Sequence, residues 1–172
     1  SDVCSSDLAK VKTYHCQERY GLVWVCLGEP AVDIPSFPEW EDSSYRKFLC
    51  GPYPFNSSGP RVIENAVDMS HFPFIHEGGL GDRSQAVVPD YEVETDGEGV
   101  IVRNIRNWQP SSGTPINGVV ERWQRVCRPL TVYAFINFPS GIRTILYTVT
   151  PVQEDKSIVW MWVATNLDRK ST

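Results

Sequence analysis

Residues 62–82 read VIENAVDMSHFPFIHEGGLGD, and two of the chain's three histidines, His71 and His76, lie in it five positions apart. Asp68 precedes His71 by three. Imidazoles and a carboxylate at this spacing can hold a metal: two ring nitrogens ligate, and the carboxylate stands behind one ring and fixes its tautomer. They can equally be partly buried, hydrogen-bonded groups beside Phe72, Phe74 and Ile75 that close a pocket. At i and i+3, Asp68 and His71 share a helix face. His71 and His76, at i and i+5, would diverge on an unbroken helix, but Pro73 ends the helix and lets the second imidazole turn back. Two histidines without context suggest zinc, yet no cysteine or further histidine lies nearby, and a hydrolytic zinc site would have only Glu77 as a nearby base. Two imidazoles plus a carboxylate from elsewhere make the facial set of non-haem ferrous iron, which leaves coordination positions free.

The elements that must position these groups follow from periodicity. Residues 63–72 form the one convincing helix, with Glu64 and Asp68 in its early turns and Pro73 as its stop. GGLGD after it is a flexible corner. YGLVWVCLGEP (20–30) reads as a buried strand closed by Gly28 and Pro30, followed by a proline-rich loop around DIPSFPEW. From Gln85 onward the pattern is strands: two in AVVPDYEVETDGEGVIVRNIRNW, joined at DGEG, three in ERWQRVCRPLTVYAFINFPSGIRTILYTVTPV, broken at Pro129 and PSG, and a last in SIVWMWVATN. One helix followed by an antiparallel meander is an α+β pattern. So apolar a sheet needs a second layer that one short helix cannot supply, and the orphan first strand likewise fits the middle of a larger protein. Residues 1–8, SDVCSSDL, are an unassigned tail or junction.

Composition narrows the partners. The chain has 172 residues with 41% apolar and 12% aromatic content, enough for a real core. Its formal charge is −5, with 21 acids against 16 bases and no basic cluster, which argues against nucleic acid and anionic membrane surfaces. No apolar run is long enough to span a bilayer. Five scattered cysteines without a C-x-x-C pair indicate neither zinc finger nor disulfide framework, so a reducing cytoplasm is the expected location. Trp24, Trp160 and Trp162 read as core or sheet-face residues, Trp123 and Phe135 as candidates for lining a cavity, and His15 as a surface strand residue.

ENAVDMSHFPFIHEGGLGD resembles the iron-binding signature of the Rieske non-haem iron oxygenases, in their large (α) terminal oxygenase subunit. The pattern N-x-x-D-x-x-H-x-x-x-x-H falls without a gap on Asn65, Asp68, His71 and His76. QERYGLVWVCLGEP resembles the last strand of the family's Rieske domain; LGDRSQAVVPDYEV and RPLTVYAFINFPSGIRTILYTVTPV resemble the sheet of its catalytic domain. The resemblance implies an incomplete helix-grip domain over residues 31–172, a curved antiparallel sheet around a long helix, preceded by a C-terminal remnant of a Rieske domain over 9–30. It implies His71 and His76 as ligands of a mononuclear Fe(II), Asn65 near the iron, and Asp68 as the electron-transfer bridge to a cluster on a neighbouring subunit, hence a homotrimer. The implied chemistry is O2-dependent hydroxylation or oxidative O-demethylation of an aromatic small molecule, with electrons from NAD(P)H through a reductase, with or without a ferredoxin, and a 2Fe–2S cluster. Ring dihydroxylation is the near alternative, and a helix-grip ligand-binding module without redox activity the distant one. The chain departs from the pattern twice. The C-x-H and C-x-x-H cluster ligands are absent, and the third iron ligand, an aspartate on a C-terminal helix, is expected beyond Thr172 rather than at Asp168.

Overall fold

The computed structural model describes residues 11–110 and 117–167; Asp168 and residues 1–8 lie outside them. The chain divides into two compact units, Ser1–Ile34 and Pro35–Thr172.

In the first unit, β1 (His15–Arg19) pairs antiparallel with β2 (Leu22–Cys26). Tyr20 and Gly21 join them at φ 59° and 65°, the left-handed geometry that a two-residue hairpin with native twist requires. The Trp24 Nε1–H donates to the Arg19 carbonyl at 3.1 Å, tying the hairpin across its turn. The expected single buried strand over 20–30 is therefore wrong on two points: it is half of a hairpin, and Val23, Val25 and Leu27 are exposed. Alternation along β2 leaves one face open, which a reading of apolar content alone does not register. His15 starts β1 with an exposed ring, 3.3 Å from Glu29.

The second unit is an antiparallel seven-stranded sheet in the order β3–β9–β8–β7–β6–β5–β4, an α+β arrangement as expected. Its strands are β3 (Arg46–Phe55), β4 (Glu92–Thr95), β5 (Gly99–Gln109), β6 (Gly118–Cys127), β7 (Thr131–Phe138), β8 (Gly141–Gln153) and β9 (Lys156–Thr165). The last six match the sequence-derived strands and meander in register. β3 was not foreseen. Pro52 and Pro54 spoil its strand pattern, and its register slips between Cys50 and Tyr53 at a bulge, where such residues are tolerated on an edge strand. The outer strands differ from the inner ones: β4 is exposed along its whole length, and β3 over much of it.

Each face of the sheet carries cover over part of its width. On one, helix α1 (Gly59–Val67) packs against β7 and β8. Val62 and Ile63, with Ala66 and Val67 one turn on, form its apolar stripe against Val132, Val149 and Val159. Burying Val62 and Ile63 is worth about 1.5–3 kcal/mol each. On the other face, residues 37–40 supply the cover: Phe37 packs edge-on to Tyr133 at 6.4 Å and Trp40 to Trp162 at 5.0 Å. The loop expected only to connect is thus part of the core, with Phe37 1% exposed.

Glu39 is carried inside with this segment, and the Tyr133 hydroxyl donates to its Oε1 at 2.7 Å. Burial and the neighbouring carboxylate push the Tyr133 phenol well above its ordinary pKa. Tyr133→Phe keeps the ring and deletes this donor, so a loss of about 1–3 kcal/mol is expected in a urea melt. Unchanged stability would mean that Glu39 is satisfied by another group.

Candidate metal centre

The helix expected over 63–72 ends earlier, at Val67. Asp68 turns extended (ψ 117°) while its N–H still bonds to the Glu64 carbonyl. Its side chain explains the break: Asp68 Oδ1 accepts from the Ser70 N–H at 2.8 Å and from the Ser70 hydroxyl at 2.6 Å, a local turn that competes with the helical bond pattern. A separate turn, α2 (Phe72–Ile75), follows, with Pro73 in its first positions. Pro73 therefore starts a helical turn rather than stopping one, its missing N–H costing nothing there.

The break brings the chemistry together. Asp68 Oδ2 lies 3.1 Å from His71 Nδ1, so one carboxylate oxygen holds the turn and the other holds the imidazole. The Asp68–His71 pairing expected from a shared helix face is made instead across a turn. His71 is 5.1 Å from His76, ring centre to ring centre, and Phe72 lies against both, at 5.0 and 5.7 Å. Partial burial pushes the Asp68 pKa up, but the hydrogen bonds from Ser70 and His71 outweigh it and hold the group below the ordinary carboxylate value. Asp68 is thus an anion fixed behind His71, which leaves the far nitrogen of that ring, Nε2, for a ligand.

The corner after His76 is held, not flexible as expected. The His76 carbonyl accepts from the Gly79 and Leu80 N–H groups at 3.0 and 2.9 Å, and the Gly81 carbonyl accepts from the Gly78 N–H at 2.9 Å. Gly81 sits so close to the Phe72–Pro73 peptide that a Cβ there would come within 2.6 Å of it. The close approach pins the loop that carries the two histidines from its far end.

His71, His76 and Asn65 line a cavity of about 360 Å³ whose other wall is the sheet. Alternation on β6 turns Arg122 and Gln124 inward; Gln109 joins them from β5 and Arg143 from β8. Arg122, Gln124 and Gln109 are buried, and Arg122 Nε and Nη2, Gln124 Oε1 and Gln109 Oε1 have no partner among the described residues. Burial alone pushes the Arg122 guanidinium down to about 10, still cationic at neutral pH. The sequence reading missed these groups, although Val120, Arg122 and Gln124 alternate on one strand face and polar residues on an otherwise core-facing row were a usable signal. Trp123 and Phe135 were candidates for lining the cavity and do not line it. They stack on each other at 5.9 Å on the opposite side of the sheet, beside a separate cleft with Arg103 and Asn104.

The donor set fits ferrous iron in part. Two imidazoles face one cavity, one already oriented by a carboxylate, and among the described residues no group of three His, Cys, Asp or Glu gathers as a complete metal site.

Comparison with known proteins gives the family. Residues 55–172 match the model of the vanillate O-demethylase oxygenase C-terminal domain. The chain is 32% identical over 146 residues to the probable methylxanthine N7-demethylase NdmC of Pseudomonas sp. (strain TJI-51), covering 81% of this chain and 52% of that protein. It is 27% identical to a vanillate O-demethylase oxygenase subunit of Pseudomonas sp. (strain HR199), covering 69% of this chain and 36% of the relative. The chain thus spans about half or less of the length of these curated relatives. Among solved structures, Pseudomonas putida CBB5 NdmA with caffeine superposes with a TM-score of 0.77 at 22% identity, over 98% of this chain and 52% of that one. Dicamba monooxygenase bound to 3,6-dichlorosalicylic acid follows at 0.67 and 19%, over 89% of this chain and 50% of that one, so the sheet and helices share the fold of these oxygenase catalytic domains. The chain belongs to the vanillate O-demethylase oxygenase C-terminal domain family, the catalytic domain of the Rieske non-haem iron oxygenases.

Proposed function

We propose that this chain is the catalytic portion of a terminal oxygenase subunit, inserting oxygen from O2 into an aromatic small molecule by hydroxylation or oxidative demethylation. The observation that carries the reading is the imidazole pair: two rings 5.1 Å apart, one braced by a carboxylate, at the wall of a cavity large enough for a single aromatic ring. His71 and His76 are the residues that hold Fe(II), with a third carboxylate from beyond Thr172. Bound there, ferrous iron supplies reductive activation of O2 next to the substrate.

The chain's own residues have separable tasks. Asp68 fixes the His71 tautomer and, with its side chain 43% exposed, offers a carboxylate to a cluster-ligating group of a neighbouring subunit, making it the arrival point for electrons. Asn65 faces the same cavity as the ligands. The wall of Val132, Ala134, Ile136 and Ile145 excludes water from the ring of the substrate. A homotrimer, a reductase with or without a ferredoxin, a 2Fe–2S cluster carried outside these residues, and a cytoplasmic setting complete the proposal. Residues 9–30 are then the end of the cluster-bearing domain. Among the described residues no helix is long and apolar enough to cross a membrane.

The test is product formation under 18O2 with NADH and a reductase. Label in the hydroxylated product, or in the formaldehyde released on demethylation, supports the reading, and turnover without O2 sinks it. Asp68→Asn separates bracing from electron delivery. The amide has a single acceptor oxygen, which can serve Ser70 or His71 but not both, so iron content is expected to fall by severalfold while turnover falls further, by about 10–100-fold. Loss of iron in parallel with activity would leave Asp68 with bracing alone.

A further inference from the structure

Resting on that reading, the cavity wall narrows the substrate class. Arg122 is 7% exposed, projects inward from β6, and leaves Nε and Nη2 without a partner among the described residues. A buried, unpaired guanidinium is costly, and proteins keep one where a counter-charge arrives. None of the residues lining the cavity is an aspartate or glutamate. A second cation, Arg143, lines the same wall; β-register sets Ile136 opposite both arginines, so the two stand on either side of β7.

The position also suits a substrate. The Arg122 guanidinium lies 5.3 Å from the centre of the Phe72 ring, and Phe72 touches both imidazoles. An aromatic ring entering the cavity with an anionic group on Arg122 would lie along Phe72 and point its opposite edge toward His71 and His76. The planar fork of arginine matches a carboxylate or sulfonate in two parallel hydrogen bonds, and a dry wall strengthens them. Gln109 and Gln124, each with an unpartnered Oε1, add acceptors for a hydroxyl on the same ring.

We propose that Arg122 is the specificity residue of this site, anchoring the oxyanion of an aromatic acid. Neutral ring systems leave the guanidinium unpaired and are bound more weakly.

The experiment compares 4-methoxybenzoate with its neutral counterpart 4-methoxybenzamide in the holoenzyme and in Arg122→Met and Arg122→Lys, by tryptophan-fluorescence titration. The wild type is expected to bind the benzoate at least about tenfold more tightly, the energetic scale of one charge-assisted pair. Arg122→Met should abolish that preference with benzamide affinity within about twofold, and Arg122→Lys should restore part of it. Ligand-free Arg122→Met should melt no lower than wild type, because it removes an unpaired buried charge. A melting temperature lowered by several degrees would show that the arginine serves an internal ion pair and overturn the proposal. So would equal binding of the two probes by the wild type, or a benzoate preference that survives in Arg122→Met. Iron content and O2-dependent turnover keep the two readings apart: a protein that prefers benzoate yet neither retains Fe(II) nor consumes O2 sinks the oxygenase assignment and spares the anchor.

Discussion

Alanine at His71 or at His76 should remove iron from the protein and lower turnover by more than about 100-fold. Loss of an outer partner of a metal-ligating histidine already costs up to that much, and each of these changes would delete one of the two proposed ligands itself. The rest of the loop should survive. α1 keeps its apolar stripe on β7 and β8, and the Asp68–Ser70 turn does not use either imidazole. Iron per protein by atomic absorption and product per minute are the two readouts, with circular dichroism to show an intact fold. Glu77→Ala is the control. Its carboxylate makes an exposed ion pair with Arg83, the sort worth about 1 kcal/mol or less, so iron and turnover should be retained. If Glu77→Ala abolished turnover as fully as His71→Ala does, and turnover persisted without O2, the site would be a hydrolytic one with Glu77 as base, and the iron assignment would be lost.

Gly81→Ala should damage the same centre without touching a ligand. The added methyl would sit 2.6 Å from the carbon and nitrogen of the Phe72–Pro73 peptide and 2.8 Å from the Phe72 carbonyl oxygen. These are backbone atoms and cannot rotate away, so the peptide that joins the two histidines must shift. Overpacking of this kind costs about 1–3 kcal/mol. Displacing the ligand loop should also weaken iron retention by about tenfold or more, as loosened support for metal ligands does. Gly79→Ala provides the contrast, because its Cβ meets nothing nearer than the His76 carbonyl oxygen at 3.6 Å. Thermal melts and iron content should separate the two variants clearly. Equal behaviour would mean that the loop adjusts freely and that Gly81 does not pin it.

Much of this was legible beforehand where one physical cause dominates. Period-two alternation marked the inner strands β5 to β9, because they must present one face to a core, whereas the exposed β4 was marked by the DGEG turn that joins it to β5. The Asp68, His71 and His76 cluster was legible because few residue types do metal chemistry and the spacing is short. What stayed hidden depends on competition between local and distant forces. The end of α1 at Val67 is set by an aspartate side chain outbidding the backbone for Ser70, which periodicity does not express. β3 carries two prolines and is a strand only because β9 lies beside it. The side of the sheet taken by Trp123 against Arg122 follows from register, which the meander alone leaves open by one residue. Exposure of β2 on one face was equally beyond reach of a reading by apolar content.

The two rims of the seven-stranded sheet are poor templates for self-association. Glu92 and Glu94 place charged side chains along exposed β4, the first accepting from Asn104 and the second paired with Arg103, so a second copy meeting that rim edge to edge would have to desolvate them. At the opposite rim, Pro52 and Pro54 lack donor hydrogens and the slip beside Cys50 interrupts a straight row of hydrogen-bonding groups. A large open sheet of apolar strands would otherwise be prone to fibre-like stacking during expression. Here the amino acids chosen for the margins guard against it, so removing both glutamates of β4 would be a poor route to a better-behaved preparation.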